Sequence, residues 1–144
     1  MADKSFLVDA APKPVGAYPH ARWVGDLLFL SGVGPRSPQG GDIPGVTLDQ
    51  HGQIIAHDIA LQTHAVLHNV RTILEASGAQ WRDLVDITVF LTDMRQDFDT
   101  FNRVYASYFS AQPPTRTTLE ICALPTPIAI ELKCIAAPGS GAKR

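Results

Sequence analysis

The segment DIALQTHAVLHNVRTILEA, residues 58–76, together with LVDITVFLT, residues 84–92, decides the fold class. In the first segment, apolar residues recur at spacings of three and four, which predicts an amphipathic helix. Asp58 is placed to cap the start of this helix and Gly78 to end it. The second segment alternates apolar and polar residues, which predicts a strand with one buried face. The predicted inner face of the helix comprises Ile59, Thr63, Val66, Val70, Ile73 and Leu74.

The chain on the N-terminal side predicts two hairpins separated by a loop. The hairpins are Arg22–Val24 with Leu27–Ser31, about Gly25–Asp26, and Val46–Ala56, about Gly52. Residues 32–45 hold five glycines and three prolines, so we expect irregular structure there. Residues 1–13 are predicted to form an N-terminal arm.

The chain on the C-terminal side predicts one more helix and two strands, namely Asp97–Phe109, Thr115–Cys122 and Ile128–Ala136. The inner face of this helix is assigned to Phe98, Phe101, Tyr105 and either Tyr108 or Phe109. The element order ββ(ββ)αβαββ indicates a single α+β domain spanning residues 1–144, with two helices packed on one face of a mixed sheet. Residues 138–144 are predicted to be a mobile tail.

The other face of the predicted sheet is polar. The strand alternation places on it Asp86, Thr88, Arg116, Thr118, Glu120, Glu131 and Lys133. Such a face is either solvated or closed by partner subunits around a polar site, and the pattern leaves both interpretations open.

The composition of the chain argues against several classes of protein. The 144 residues carry a formal net charge of −2 and are 45% hydrophobic, which argues against a disordered chain and against a nucleic-acid binder. No apolar run is long enough to cross a membrane, and the N-terminus lacks the apolar core of a secretory signal. We therefore expect a cytoplasmic protein, with Cys122 and Cys134 as reduced core thiols.

Several common catalytic motifs are absent, including GxSxG, HExxH, GxxxxGK[ST] and GxGxxG. His64 and His68 are four residues apart on the predicted helix, a spacing that suits a metal, but no Glu or Cys joins them at a familiar distance. We therefore expect two solvent-facing histidines. Neither cysteine has a sequence neighbour that would lower its pKa and make it a nucleophile.

The residues best suited to chemistry are Arg116 and Glu131. A guanidinium held on a rigid strand can grip a carboxylate through two parallel hydrogen bonds, and a glutamate can orient or deprotonate water. The alternative is a structural ion pair of Arg116 with either Glu131 or Glu120 across neighbouring strands. Spacing does not decide between the two interpretations.

Several segments resemble the RidA/YjgF (Rid) family. The C-terminal signature is Pro113-Pro-Thr-Arg-Thr-Thr-Leu-Glu120, followed by Leu124-Pro125 and Ile130-Glu131-Leu132. Gly16-Ala-Tyr18 with Leu30-Ser31-Gly32 is similar to the family's first strand and pocket loop. The remaining matches are Asn69-Val70, Ile73-Leu74-Glu75 and Gly78, then Val89–Asp93, Phe98 and Asn102–Tyr105.

The resemblance implies a chorismate-mutase-like, YjgF-type fold and a homotrimer with active sites between subunits. Family members typically hydrolyse reactive enamines or imines to ketones and ammonia without a metal or an organic cofactor. The resemblance implies that Arg116 binds the substrate carboxylate and that Glu131 activates water. The pocket positions that match are Tyr18, Gly32, Asn102 and Tyr105, with Thr118 where housekeeping members usually carry Cys or Ser.

The segment between Gly32 and the first helix is longer than in housekeeping members, and Val33 stands where they often have Gln. This insert, at about residues 42–57, with Tyr18-Pro19-His20 and Pro35-Arg36, is similar to the 2-aminomuconate deaminase branch, which acts in bacterial aromatic degradation. A dicarboxylate substrate needs a second cation, and the candidates are Arg36, then His20 and Arg22.

We therefore expect a deaminase that converts 2-aminomuconate to 2-oxohex-3-enedioate (4-oxalocrotonate) and ammonia. Two alternatives stay open: a general 2-aminoacrylate or 2-iminopropionate deaminase, and a trimer that binds such ligands without catalysis. We expect a small-molecule carboxylate and copies of the chain itself as partners, and neither nucleic acid nor a membrane.

Overall fold

A six-stranded sheet organises the computed structural model, which describes residues 4–139. The strands are β1 (Lys4–Phe6), β2 (Ala21–Val24), β3 (Leu27–Leu30), β4 (Val46–Leu48), β5 (Ile54–His57), β6 (Leu84–Leu91), β7 (Thr115–Glu120) and β8 (Ile130–Ala136). The helices are α1 (Ile59–Ala76) and α2 (Met94–Ala106). The sheet order is β1-β2-β3-β8-β6-β7, whereas β4 and β5 form a separate two-stranded hairpin.

The sheet is mixed, as the sequence predicted. β6 pairs with β7 in parallel and every other pair in the sheet is antiparallel. A parallel pair needs a crossover connection, and α2 lies in the connection from β6 to β7. α1 packs against β8 and α2, so the apolar core lies between the helices and one face of the sheet. The predicted α+β class with two helices on one sheet face is confirmed.

The first helix matches its prediction closely. Asp58 caps α1 by accepting a hydrogen bond from the Leu61 amide, and all six predicted inner-face residues are buried. Gly78, just past the last turn, has a φ of 93°, a conformation that glycine adopts without the steric penalty that other residues meet.

The second helix begins earlier than predicted. α2 starts at Met94 rather than at Asp97, because Asp93 accepts from the Gln96 amide and Glu120 accepts from the Met94 amide at 2.9 Å. Glu120 belongs to β7, so this second cap is a contact that sequence spacing does not show. Phe101 and Tyr105 are buried as predicted, Phe98 is half-buried, and Tyr108 and Phe109 lie beyond the helix.

The N-terminal arm and the start of β6 also differ from prediction. Lys4–Phe6 pairs with β2, so the arm contributes an edge strand. In β6, a register irregularity between Leu84 and Asp86 turns Leu84 into the core, whereas Val85 is only half-buried. Both predicted hairpins and the irregular loop that joins them are confirmed.

Of the seven residues predicted to lie on the polar face of the sheet, four lie there and three do not. Asp86, Thr88, Glu131 and Lys133 lie on the face away from the helices, here called the open face. Arg116, Thr118 and Glu120 pair in register with Ile87, Val89 and Leu91, whose side chains are buried beneath the helices. These three therefore lie on the helix face. The prediction failed because TRTTLE has almost no apolar residues to indicate which set points inward, and its Leu119 is exposed.

Residues 1–3 of the predicted arm and residues 140–144 of the predicted mobile tail lie outside the described residues. Across residues 4–139, neither helix has the length and apolar character needed to cross a membrane.

Candidate active site

Arg116 lies on edge strand β7 and points toward α2. Its guanidinium carbon is 4.7 Å from the centroid of the Tyr105 ring and 5.2 Å from that of Phe101. These cation–π contacts hold the side chain without neutralising it. Within residues 4–139, Arg116 forms no ion pair with a carboxylate. The structure therefore presents a half-buried cation whose hydrogen-bond donors are available to a bound anion.

Two other predicted residues lie beside Arg116. Tyr105 is buried, and its hydroxyl has no hydrogen-bond partner in the described part of the chain. Loss of hydration raises the pKa of Tyr105 to about 12, although the Arg116 charge acts in the opposite direction. Tyr105 is therefore a neutral phenol at physiological pH. Thr118 lies two residues along β7 on the same face, whereas Asn102 is exposed on α2.

Glu131 occupies a different environment, on the open face of β8. Its carboxylate packs directly against Gly32: a Cβ added to that glycine would lie 2.5 Å from Oε2 of Glu131. Burial raises the pKa of Glu131 above its ordinary value of 4.5. A glutamate whose pKa is raised is a stronger base than an ordinary glutamate, which suits it to accepting a proton from water.

A narrow cleft of about 30 Å³ adjoins Gly32, and Tyr18 and Arg36 help to line it. The Arg36 guanidinium donates from Nη2 to the Lys13 carbonyl at 2.7 Å. A guanidinium carries five N–H donors, so this bond leaves capacity for another partner. Sequence reasoning missed the residue that holds this loop: buried Asn69 of α1 donates to the carbonyls of Gly34 and Arg36, both at 2.9 Å.

The other two candidates for a second cation lie in different environments. His20 is buried, its Nδ1 accepts from the Val8 amide at 2.9 Å, and its Nε2 lies 2.7 Å from the Pro12 carbonyl. Both ring nitrogens therefore serve the N-terminal arm, which contradicts a role for His20 in binding a carboxylate. Arg22 is exposed on β2, in register with Phe29 on the open face.

Arg116 and Glu131 do not meet within one chain. β6 lies between their strands, and Arg116 pairs with Ile87 on the helix face whereas Glu131 pairs with Phe90 on the open face. The predicted shared face was wrong, and the alternative of an Arg116–Glu131 ion pair is excluded by the same geometry. Glu120 caps α2 instead of pairing with Arg116.

The chain thus carries two separate groups of site residues. The arginine half-site comprises Arg116, Tyr105 and Thr118, and the glutamate half-site comprises Glu131 and Gly32. The cleft lined by Tyr18 and Arg36 adjoins Gly32 on the side of Ile73 of α1.

The histidines and cysteines form no further site. His64 and His68 are exposed as predicted, and Nδ1 of His64 lies 2.5 Å from the Tyr108 hydroxyl. Residues 4–139 contain no group of three or more His, Cys, Asp or Glu side chains arranged to hold a metal. Burial raises the pKa of Cys134 to about 12, so it is an unreactive core thiol. Cys122 is exposed, contrary to prediction, because it follows the end of edge strand β7.

Comparison with known proteins identifies the family. The family model described as endoribonuclease L-PSP matches residues 8–138. A RutC family protein of Pyrococcus horikoshii is 40% identical over 131 residues, which cover 91% of this chain and 94% of that protein. The 2-iminobutanoate/2-iminopropanoate deaminase of Escherichia coli is 32% identical over 136 residues, covering 92% and 96% of the two chains. The crystal structure of E. coli TdcF with bound serine has a TM-score of 0.79 and 33% identity, covering 93% of this chain and 98% of that one. The chain therefore belongs to the endoribonuclease L-PSP family, which is the RidA/YjgF family that its C-terminal signature resembles.

Proposed function

We propose that this protein hydrolyses imines or enamines that carry a carboxylate next to the reacting carbon, and that it does so without a metal or an organic cofactor. The observation that carries the proposal is the Arg116 guanidinium, half-buried on two aromatic rings and paired with no carboxylate within residues 4–139. The name of the E. coli deaminase and the serine bound by TdcF support a ligand with a carboxylate and an adjacent nitrogen-bearing carbon.

The proposed reaction needs positioning and one proton-transfer group. An enamine substrate reacts as its imine tautomer, which carries the C=N bond. Arg116 holds the substrate carboxylate, which places the C=N carbon near Glu131. Water adds its oxygen to that carbon while the C=N π electron pair moves to nitrogen; Glu131 accepts the water proton and delivers a proton to nitrogen. Glu131 then takes the hydroxyl proton of the carbinolamine and passes it to the amine nitrogen. The O–H electron pair forms the C=O bond and the C–N electron pair leaves on nitrogen, which gives a ketone and ammonia.

A complete site of this kind requires two subunits, because the two half-sites lie on opposite faces of one sheet. We propose a homotrimer in which the arginine half-site of one subunit faces the glutamate half-site of the next. Exposed apolar residues on the open face support burial against another copy: Val24, Leu27 and Leu119.

For the natural substrate, we propose 2-aminomuconate, which yields 2-oxohex-3-enedioate. Arg36 supports this choice, because it lies at the Gly32 cleft and keeps donors beyond the one used by Lys13. The second candidate is a short imine such as 2-iminopropionate, which the name of the E. coli relative favours. That substrate needs no second cation.

The test is to generate each imine enzymatically in the presence of the protein and to measure the ammonia released. We expect turnover of both, with the higher kcat/KM for 2-aminomuconate. A clear preference for 2-iminopropionate would overturn the dicarboxylate assignment and leave the reaction class in place. Binding of keto acids with no turnover of either imine would mean that the protein binds ligands without catalysis.

Two variants test whether Arg116 binds the substrate carboxylate. Arg116→Ala is expected to lower kcat/KM by roughly 10- to 150-fold, the value of a charge-assisted hydrogen bond of about 1.5–3 kcal/mol. Arg116→Lys keeps the charge but loses the bidentate fork, so it should recover only part of the rate. An undiminished rate in Arg116→Ala would remove this residue from the site.

A further inference from the structure

One buried stripe of α2 joins the β4–β5 hairpin to the arginine half-site. Asp97, Phe101 and Tyr105 follow one another at intervals of four residues, so they lie on the same face of the helix, and all three are buried. The Arg116 guanidinium rests on Phe101 and Tyr105 at one end of this stripe. Asp97, at the other end, contacts His57 of β5.

His57 and Asp97 form a part-buried hydrogen bond between two titratable side chains. Nε2 of His57 lies 2.7 Å from Oδ2 of Asp97, and the two side chains are 12% and 1% exposed. Burial raises the pKa of Asp97, the hydrogen bond from His57 lowers it, and the neighbouring Asp93 carboxylate raises it further. Removal of His57 would leave a carboxyl group in a dry environment with no ring to bond it, which is strongly unfavourable.

The hairpin that carries His57 is fixed to α1. The Asp58 amide donates to the Gly45 carbonyl at 2.7 Å, and Nε2 of buried Gln62 donates to the Pro44 carbonyl at 2.5 Å. Gly45 has a φ of 74°, and a Cβ there would lie 2.9 Å from the Asp58 carbonyl oxygen. His57 therefore projects from the base of an anchored hairpin, and it can hold α2 in place.

We propose that His57 is a positioning residue for Arg116. The β4–β5 hairpin fixes the N-terminal turn of α2 through Asp97. The Phe101 and Tyr105 rings then set where the guanidinium meets the substrate carboxylate. The link from His57 to the rings needs no assumption about the reaction; its effect on turnover rests on the proposed function.

The experiment compares His57→Ala with the matched control His51→Ala, which removes an exposed histidine at the tip of the same hairpin. The first readout is the Arg116 Nε–Hε NMR signal, assigned by its loss in Arg116→Lys, because ring currents from Tyr105 and Phe101 shift it. We expect His57→Ala to move this signal and His51→Ala to leave it in place. His57→Gln, which retains an N–H donor of similar reach, should restore most of the original position.

The second readout is whether His57→Ala changes KM or kcat for imine hydrolysis. A displaced Arg116 weakens the hold on the carboxylate, so His57→Ala should raise KM by roughly 2- to 30-fold, the range for coupling through packed side chains. Simple loss of folded protein would instead lower kcat at constant KM. If His57→Ala does not fold, the isosteric Asp97→Asn, which removes the charge, should move the Arg116 signal in the same direction.

An unmoved Arg116 signal in folded His57→Ala or Asp97→Asn would overturn the positioning role, whatever the activity. A moved signal in a protein that turns over no imine would support the positioning role and would contradict the proposed function. The two conclusions are therefore separable.

Discussion

Arg116 and Glu131 face away from each other across the sheet, Arg116 in register with Ile87 beneath the helices and Glu131 in register with Phe90 on the open face. A guanidinium and a carboxylate placed in this way cannot act on one small molecule within one chain. They can do so when a second copy brings its own Glu131 to the edge strand that carries Arg116, which is the arrangement a cyclic homotrimer repeats three times.

Mixed oligomers test this arrangement directly. Arg116→Ala and Glu131→Gln subunits are denatured together at equal concentration and refolded, and the residual activity of each variant refolded alone is subtracted. If each site takes its arginine and glutamate from different subunits, about one site in four receives both intact residues, so about a quarter of wild-type activity should return. Activity no higher than that of either parent would place both residues of each site in one subunit. Refolded wild type supplies the reference rate.

Glu131→Gln is expected to lower activity without lowering stability. Burial raises the pKa of Glu131 in the folded protein above 4.5, so folding favours the protonated form. The stability that this preference contributes is present at low pH and is lost as the pH rises through the unfolded and then the folded pKa. Above the folded pKa the ionised side chain therefore destabilises the fold, and a neutral glutamine removes that cost.

We expect Glu131→Gln to be at least as stable as wild type in urea at pH 7, yet nearly inactive. In the wild type, the acid limb of kcat/KM against pH should lie above 4.5, because the base must be ionised. An acid limb at or below the ordinary glutamate pKa would contradict the assignment of Glu131 as the base.

Gly32→Ala tests the close approach of the loop to Glu131. The new methyl would lie 2.5 Å from Oε2 and 2.9 Å from the carboxyl carbon, so the carboxylate must move. We expect a large loss of kcat together with a stability loss of about 1–3 kcal/mol, the usual effect of overpacking.

The control for that variant is Gly34→Ala, whose methyl would meet only the end of the Ile128 side chain, at 2.8 Å. A flexible methyl terminus can shift, so this variant should retain most of the activity. Equal activity losses in the two variants would indicate general disruption of the loop rather than displacement of Glu131.

Arg36→Ala tests substrate choice. If Arg36 binds the second carboxylate of 2-aminomuconate, its removal should raise KM for that substrate by roughly 10- to 150-fold and leave 2-iminopropionate unaffected. The Lys13 carbonyl is exposed to solvent at the arm, so loss of its hydrogen bond should change stability little. Similar losses for both substrates would assign Arg36 to holding the loop, and no loss for either would leave it outside the site.

The sequence by itself determined the elements that bury an apolar face. The periodicity of residues 58–76 located α1, its cap and its inner face, and the alternation in β8 placed Glu131 and Lys133 opposite the core. Both predictions were correct because a regularly repeated apolar pattern leaves only one orientation in which all the apolar side chains of the element are buried. The order of the elements along the chain then indicated the α+β class, and the C-terminal signature indicated the family.

Only the tertiary structure decided where the residues of the polar segments point and what they contact. In TRTTLE, residues 115–120, the one strongly apolar residue, Leu119, is exposed, so the apolar pattern does not indicate which set points toward the core. Pairing with β6 places Arg116 under α2 and apart from Glu131. The bonds of Glu120 to the start of α2 and of His57 to Asp97 join residues 26 and 40 positions apart. The pattern of residues along the chain predicts neither hydrogen bond, because both depend on how elements distant in sequence pack together.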